Sequence, residues 1–161
     1  MKKIPLTQGY FALVDDEDYE WLSKHKWRVY RDKTNCYAFT KIRIGYKEHI
    51  QPRMHRLIMN PTVTEQIDHI DGNGLNNRKS NLRICNGQQN QQNRRPTRKA
   101  SSQYKGVAWH KRSKKWIARI TVDKKIIHLG YFNDEESAAR VYDKAAKKYF
   151  GEFARINLEA C

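Results

Sequence analysis

Short runs of alternating apolar and polar residues fill the first third of the chain. An alternation with period two is typical of half-buried β-strands, and it predicts strands at residues 10–14, 26–30 and 37–44. Residues 15–22 lie between the first two strands and predict a short helix, because their acidic first turn suits the positive N-terminal end of a helix. We therefore expect the chain to begin with a small β-rich region.

The last third carries a second alternating pattern, which predicts strands at residues 104–110, 116–122 and 126–132. Alternate side chains of a strand point to opposite faces of a sheet. We expect one face of the sheet to pack on a helix. The residues of this face are Trp116, Ala118, Ile120, Val122, Ile127, Leu129 and Tyr131. The other face is expected to point outward and to carry Ile117, Arg119, Thr121, Ile126, His128 and Gly130.

A helix is predicted to follow the third of these strands. Apolar residues recur at helical spacing from Ala138 to Tyr149, and Gly151 follows where a left-handed residue often ends a helix. Asn133 is expected to cap the N-terminus, with Glu136 completing a capping box three residues later. The last third is therefore expected to be a three-stranded sheet packed on one helix.

Positive charge is concentrated in one part of the chain. The 161 residues include 32 Lys and Arg against 17 Asp and Glu, a net charge of +15. Residues 94–132 alone contain 12 basic residues and one acidic residue. Such a density favours binding to a polyanion, and nucleic acid is the commonest polyanion in cells. A solvated basic surface without a partner is the alternative.

Other features of the composition exclude several classes of protein. Cys36, Cys85 and Cys161 are widely spaced and odd in number, which argues against a disulfide framework and against a zinc site of paired cysteines. No apolar run approaches the ~18 residues of a membrane span, and the N-terminus lacks the apolar stretch of a signal peptide. We therefore expect a soluble intracellular protein with no membrane partner.

The middle of the chain, residues 63–93, is rich in Asn, Gln, Asp and Gly, which predicts loops unless these polar groups bind something. Asp68 and His69 stand side by side within it. Hydrolysis of a phosphodiester needs a group that takes a proton from water, which histidine can do, and a cation that neutralises the developing charge. Residues 71–74 can turn the chain back, and Asn86 can cap a short helix that holds Asn90.

The spacing of these residues resembles the HNH endonuclease family, in particular the homing type without structural zinc. An Asn follows His69 after 12 residues, as Asn81, and another after 21 residues, as Asn90. The resemblance implies a ββα-metal site in which Asp68 and Asn90 bind Mg²⁺ (or Mn²⁺) and His69 is the general base. It also implies that Asn81 holds the two strands together and so orients His69. Many members have His where this chain has Asn90, and the amide favours an oxygen-bound metal over zinc.

The resemblance extends upstream, to the sequence MHRLI at residues 54–58. It makes His55 and Arg56 candidates for contact with the substrate. Local packing is the alternative role of His55.

The C-terminal pattern resembles the AP2/ERF DNA-binding domain, through YKGV at 104–107, KWIARI at 115–120, HLGYF at 128–132 and ESAARVYD at 136–143. The resemblance implies that the sheet lies in the major groove of DNA. Ala108 stands where plant members have an Arg that contacts bases, so their target sequence is not carried over. The predicted DNA contacts lie on the outward face of the sheet, at its basic rim and in the preceding linker. They are Lys105, His110, Lys111, Lys115, Arg119, Thr121, His128, Arg94 and Arg95.

The two resemblances combine into an α+β protein with two domains. A β-rich region leads into an HNH domain over residues 1–93, with its ββα-metal core at about 63–93. A basic linker at 94–102 precedes an AP2-like domain at 103–158. We expect a metal-dependent endonuclease acting on double-stranded DNA in the cytoplasm of a bacterial or phage-infected cell.

Two alternatives stay open at this stage. The chain could be a non-catalytic, sequence-specific DNA-binding transcription regulator whose HNH motif is silent, or an RNA-binding protein, since basic and aromatic residues also suit single strands. The presence of all four motif residues favours the nuclease. The sequence leaves the oligomeric state, the target and the number of strands cut undecided.

Overall fold

A computed structural model of the protein describes residues 1–32, 35–96 and 100–158. The chain divides into two compact units, of which the first spans Met1–Asn90 and the second begins at Gln91. Both units combine small sheets with helices, which confirms the predicted α+β class. Among the described residues, no helix is both long enough and apolar enough to cross a lipid bilayer.

The first unit is built from short strands and short helices. Its described strands pair in sequence order as four antiparallel two-stranded sheets, β1 with β2, β3 with β4, β5 with β6 and β7 with β8. The elements are β1 (Lys2–Pro5), β2 (Phe11–Val14), α1 (Asp16–Leu22), β3 (Arg28–Arg31), β4 (Cys36–Phe39), β5 (Ile42–Arg43), β6 (His49–Ile50), α2 (Met54–Met59), β7 (Gln66–His69), β8 (Leu82–Cys85) and α3 (Gly87–Gln92), whose last two residues belong to the second unit. Its core consists of Ile4, Leu6, Ala12, Val14, Leu22, Trp27, Ala38 and Met54.

The strand predicted at residues 37–44 is divided in the structure into β4 and β5. The break lies at Thr40, a buried residue whose main-chain N–H donates to the main-chain oxygen of Pro52, 3.1 Å away. Its hydroxyl donates to the main-chain oxygen of Lys26 at 2.9 Å. These two bonds fasten the chain at this point, and β5 then pairs with β6.

The second unit has the predicted order of three strands and a helix. Strands β9 (Val107–His110), β10 (Lys115–Val122) and β11 (Lys125–Phe132) form an antiparallel sheet with β10 in the centre. Helix α4 (Glu135–Phe150) packs against it through small and aromatic side chains. The buried residues of this interface are Val107, Ala118, Ile120, Ala138, Ala139, Tyr142 and Ala146.

The predicted cap of α4 is wrong by one residue. Asp134, rather than Asn133, is the capping residue, and its Oδ1 accepts a hydrogen bond from the main-chain N–H of Ser137 at 2.7 Å. Hydrogen bonds from the backbone and the side chain of Ser137 hold the pKa of the Asp134 carboxyl below its usual value. The ionised carboxylate also suits the positive end of the helix better than an amide does.

The predicted faces of the third strand are wrong at its C-terminal end. Gly130 pairs with Ala118 on the helix side, whereas Tyr131 pairs with Ile117 on the outward side and is 47% exposed. The cause is a β-bulge, because Ala118 pairs with Gly130 while the next residue, Arg119, pairs with His128. An extra residue in one strand shifts every later side chain to the opposite face.

The first of the three strands begins later than predicted, at Val107. Gly106 precedes it with φ +75°, a left-handed conformation that interrupts an extended strand. A Cβ atom at Gly106 would lie 2.0 Å from the ring of Tyr142 and 2.7 Å from the main-chain oxygen of Arg119. Glycine is therefore required here by both conformation and space.

Candidate functional site

Strands β7 and β8 form an antiparallel hairpin that carries two of the predicted site residues. Asp68 pairs with Arg83, and His69 pairs with Leu82. Both Asp68 and His69 are buried. Because neighbouring side chains of a strand point to opposite faces, the hairpin presents the carboxylate on one side and the imidazole on the other.

The carboxylate of Asp68 is held by Arg83, directly across the hairpin. Oδ2 of Asp68 accepts from Nη2 of Arg83 at 2.6 Å and from Nε at 2.9 Å. Both side chains are nearly buried, so the pair is screened little by solvent. Arg83 was not predicted as a site residue, although antiparallel pairing of the two strands could have indicated it.

Helix α3 is tied to the same face of the hairpin as Asp68. Nδ2 of Asn90 donates to Oε1 of Gln66 at 2.8 Å, and Gln66 precedes Asp68 by two residues in β7, on the same face. The predicted cap of α3 is confirmed, because Oδ1 of Asn86 accepts from the main-chain N–H of Gln89 at 2.9 Å. The side chain of Gln89 bonds back to the N–H of Asn86 at 2.8 Å, which completes a capping box.

The donor set of this face suits a hard divalent cation. Asp68 and Asn90 offer carboxylate and amide oxygens, the ligands that Mg²⁺ and Mn²⁺ prefer over soft sulfur ligands. Within the described part of the chain, no three His, Cys, Asp or Glu side chains cluster as a complete ligand set. Mg²⁺ is usually bound through one or two carboxylates, keeps several waters and takes further oxygens from a phosphate substrate.

Asn81 fastens the turn that follows His69. Its Oδ1 accepts from the N–H of Asp71 at 3.0 Å, and its Nδ2 donates to Oδ1 of Asp71 at 3.0 Å and to the main-chain oxygen of Asn76 at 2.8 Å. Its own main-chain oxygen accepts from the N–H of Ile70 at 2.9 Å. The end of β7 is therefore bonded on several sides to the residue that precedes β8.

His69 lies among aromatic rings on the other face of the hairpin. Its ring centroid is 5.0 Å from that of His55 and 5.9 Å from that of Tyr37. Burial lowers the pKa of His69 below its usual value, against the opposing effects of the Asn77 side chain and the carboxylates of Asp71 and Asp68. The imidazole is therefore neutral at neutral pH and can accept a proton.

His55, a candidate for substrate contact, lies on α2, is 6% exposed and lines the cleft described below. Burial, followed by electrostatic repulsion from His69 and from the positive charges of Arg53 and Arg56, lowers the pKa of His55 to about 3. Arg56, the other candidate, donates to the main-chain oxygens of Glu65 and Thr62, each at 3.3 Å.

A cleft of about 510 Å³ opens in the first unit beside these residues. It is lined by Ile50, Gln51, Pro52, Arg53, His55, Arg56, Gln66, Ile67 and Asn90. These described lining residues include two arginines and no carboxylate, so an anionic ligand suits the cleft better than a cationic one. Arg53 was not predicted as a site residue, because its neighbours come from distant parts of the sequence.

The outward face of the sheet in the second unit gathers five of the predicted DNA contacts. The strand register pairs Lys115 with His110 and Arg119 with His128. Tyr131, moved outward by the bulge, lies between the two histidines, with ring centroids 5.3 Å from His110 and 4.7 Å from His128. The five predicted residues on this face are His110, Lys115, Arg119, Thr121 and His128.

The remaining predicted contacts lie outside this face. Lys111 is exposed in the turn between β9 and β10, and Arg94 and Arg95 are exposed in the basic linker. Residues 97–99 of that linker lie outside the described residues. The ammonium of Lys105 donates to the main-chain oxygens of Gln91 and Gln92, at 3.0 and 2.5 Å, so its position is set by contacts within the protein.

In the comparison with known proteins, each of the two parts of the chain matches a different family model. Residues 61–92 match the family model described as HNH endonuclease, and residues 102–152 match the model described as AP2 domain. An uncharacterized HNH endonuclease of Acanthamoeba polyphaga mimivirus is 34% identical over 160 residues, which cover 93% of this chain and 76% of the viral protein. The chain is thus similar to this relative across both of its units.

Two further relatives each match one part of the chain. Protein 3.8 of Escherichia phage T7 is 33% identical over 90 residues, or 56% of this chain and 74% of the phage protein. An AP2-like ethylene-responsive transcription factor of Arabidopsis thaliana is 44% identical over 64 residues. That match covers 40% of this chain and only 13% of the plant protein, so it concerns one domain.

Proposed function

Because the chain belongs to the HNH endonuclease family and carries an AP2 domain, we propose that it hydrolyses phosphodiester bonds of double-stranded DNA with the help of a divalent metal ion. The observation that carries the proposal is the hairpin of β7 and β8. Asp68 and His69 lie on β7, Asn81 immediately precedes β8 and bonds to the turn after His69, and Asn90 bonds to the hairpin through Gln66.

His69 is the proposed general base. Its buried imidazole is neutral at neutral pH, because burial lowers its pKa, so it can take the proton of the attacking water. Asn81 supports this role, because its bonds to Asp71 and Ile70 restrain the backbone that follows His69. A base held in a fixed position reacts faster, since less orientational freedom is lost on reaching the transition state.

Asp68 and Asn90 are the proposed ligands of Mg²⁺ or Mn²⁺. A metal ion held by them would neutralise the charge that develops on the phosphate and on the leaving oxygen. Arg83 restrains the carboxylate of Asp68 in one orientation, and Gln66 does the same for the amide of Asn90. These two partners act on the proposed ligands as positioning residues.

The AP2 domain is proposed to supply most of the affinity for DNA. The first unit carries only a small site, whereas the second presents a sheet face with arginine, lysine and histidine side chains. Once one module is bound, a linked module meets the same DNA at a high effective concentration. This division of roles explains why a nuclease and a DNA-binding domain occur in one chain.

The test is incubation of the purified full chain with supercoiled plasmid, in Mg²⁺, in Mn²⁺ and in EDTA. We expect conversion to open circle or linear DNA with either metal and none in EDTA. Asn90→Ala is expected to lose the conversion, whereas Gln88→Ala, on the same helix, should keep it. DNA binding without cleavage in both metals would contradict the nuclease and support the DNA-binding regulator.

A further inference from the structure

Arg53, immediately before α2, lies over the rings of two tyrosines. Its guanidinium carbon lies 4.9 Å from the ring centroid of Tyr37 and 5.8 Å from that of Tyr30. The two tyrosines face each other across the hairpin of β3 and β4, which brings their rings to one place. Stacking on aromatic rings occupies the face of a guanidinium and leaves its N–H edge available for hydrogen bonds.

The N–H groups of Arg53 are not used within the described part of the protein. Its side chain makes no hydrogen bond or ion pair with residues 1–32, 35–96 or 100–158. The residue is exposed. Arg56, three residues later on α2, differs, because it donates to the main-chain oxygens of Glu65 and Thr62. Arg53 is thus a preoriented donor that faces solvent.

The surroundings of Arg53 select the chemistry of a ligand. Arg53 and Arg56 line the same cleft as Gln66 and Asn90, and none of the described residues that line it carries a carboxylate. Two cations with side-chain amides favour an anion that carries several oxygens. The fork of N–H groups on a guanidinium matches the oxygens of a phosphate in a bidentate arrangement.

The cleft also adjoins the proposed metal site, because Asn90 belongs to both. We propose that Arg53 binds a backbone phosphate of the DNA strand in this cleft, and that Tyr30 and Tyr37 hold its guanidinium ready for that contact. This inference rests on the proposed nuclease function and adds a phosphate-binding site to it. It assigns the aromatic pair of the β3–β4 hairpin a role in substrate binding.

The first experiment compares the cleavage of supercoiled plasmid by the full chain and three variants. Arg53→Ala removes the donor, and Arg53→Lys keeps the charge without the fork. Arg31→Ala is the matched control, because Arg31 is exposed on the same hairpin but alternates to the face opposite Tyr30. Losing a charged hydrogen bond should lower kcat/KM of Arg53→Ala about ten- to a hundredfold, with Arg53→Lys in between and Arg31→Ala near wild type.

The second experiment measures binding to a short duplex in EDTA, where cleavage does not interfere. The slope of log K against log salt should become shallower by about 0.9 in Arg53→Ala, since one phosphate contact is lost. Tyr30→Leu should lower kcat/KM by a smaller factor than Arg53→Ala without changing any charge. Circular dichroism of each variant verifies that the fold is retained.

The outcomes separate this inference from the proposed function. If wild type does not cleave in either metal, the proposed nuclease fails, and the salt slopes still test the phosphate site. If wild type cleaves and Arg53→Ala matches Arg31→Ala in both kcat/KM and slope, the phosphate site is overturned and the nuclease stands.

Discussion

The imidazole rings of His55 and His69 meet edge to face, with their centroids 5.0 Å apart and their planes at 86°. Helix α2 thus brings a second buried imidazole against the proposed general base. Nδ1 of His55 is buried, with no hydrogen-bond partner among the described residues. A buried imidazole in such surroundings stays neutral, because neither burial nor its positive neighbours favour a second proton.

The low pKa of His55, about 3, predicts that acid destabilises the first unit. Below pH ~6.5 an unfolded histidine takes up a proton, whereas His55 in the folded protein stays neutral until about pH 3. Because the unfolded state binds more protons, the free energy of unfolding falls as the pH falls, by up to about 1.4 kcal/mol per pH unit. Above pH ~6.5 His55 is neutral in both the folded and the unfolded state, so it no longer lowers the free energy of unfolding.

The measurement is urea unfolding at several pH values between 7 and about 4, followed through the NMR methyl signal of Ile4 in the core of the first unit. His55→Leu should make this dependence on pH weaker, because the variant has no group to titrate at that position. Equal pH dependence in wild type and His55→Leu would show that His55 does not cause the acid sensitivity.

Replacing the proposed general base should abolish most of the cleavage and little of the binding. His69→Ala is expected to lower the rate of Mg²⁺-dependent plasmid cleavage by at least about 10²- to 10⁴-fold, the usual contribution of a general base. DNA affinity in EDTA should be close to wild type. His49→Ala is the matched control, since His49 is an exposed histidine of β6 in the same unit. Cleavage by His69→Ala at the wild-type rate would remove His69 from the mechanism.

Local sequence signals predicted the parts of the fold that depend on neighbouring residues. The alternation in β10 assigned its inward residues, and the buried Ala118 and Ile120 confirm it. The cap of α3 at Asn86 depends on a partner only three residues away. Features of this kind are determined by residues that are close in sequence, so they can be predicted before the fold is known.

Contacts between distant parts of the chain were not predictable in this way. The pairing of Asp68 with Arg83, the contact of His55 with His69 and the stacking of Arg53 on Tyr37 all depend on how the elements pack. The bulge in β11 is also invisible to an alternation pattern, since inserting one residue reverses the faces that follow. The roles of the site residues themselves stay predictions.

The close approach of Gly106 to α4 predicts a large loss of stability on adding one methyl group. In Gly106→Ala the new Cβ would overlap the ring of Tyr142 and approach the main-chain oxygen of Arg119, in addition to backbone strain. Gly151→Ala is the matched control, because Gly151 also has positive φ but has nothing within 4 Å of an added Cβ. Thermal unfolding of the second unit, followed by NMR, should show a loss of ~4 kcal/mol or more for Gly106→Ala and about 1–3 kcal/mol for Gly151→Ala. Equal losses in the two variants would mean that the packing against Tyr142 is not tight.

Arg119 tests whether the outward face of the sheet reads bases. It is exposed at the centre of β10, directly opposite His128, so it can reach a groove edge without displacing protein contacts. If Arg119 contacts a base, Arg119→Ala should lower the free energy of discrimination at that position by about 1–3 kcal/mol. Selection of sites from a random duplex pool measures this as a relaxed preference.

Arg140→Ala serves as the control for loss of charge in the same unit. Arg140 is an exposed arginine of α4 that pairs with Glu136 on the same helix, and α4 packs on the face of the sheet opposite Arg119. Its removal should leave the selected sequences unchanged. If Arg119→Ala selects the same sequences as wild type, Arg119 contacts no base. Its contact would then be to the phosphate backbone of the DNA, because losing a phosphate contact weakens the binding of all sequences equally.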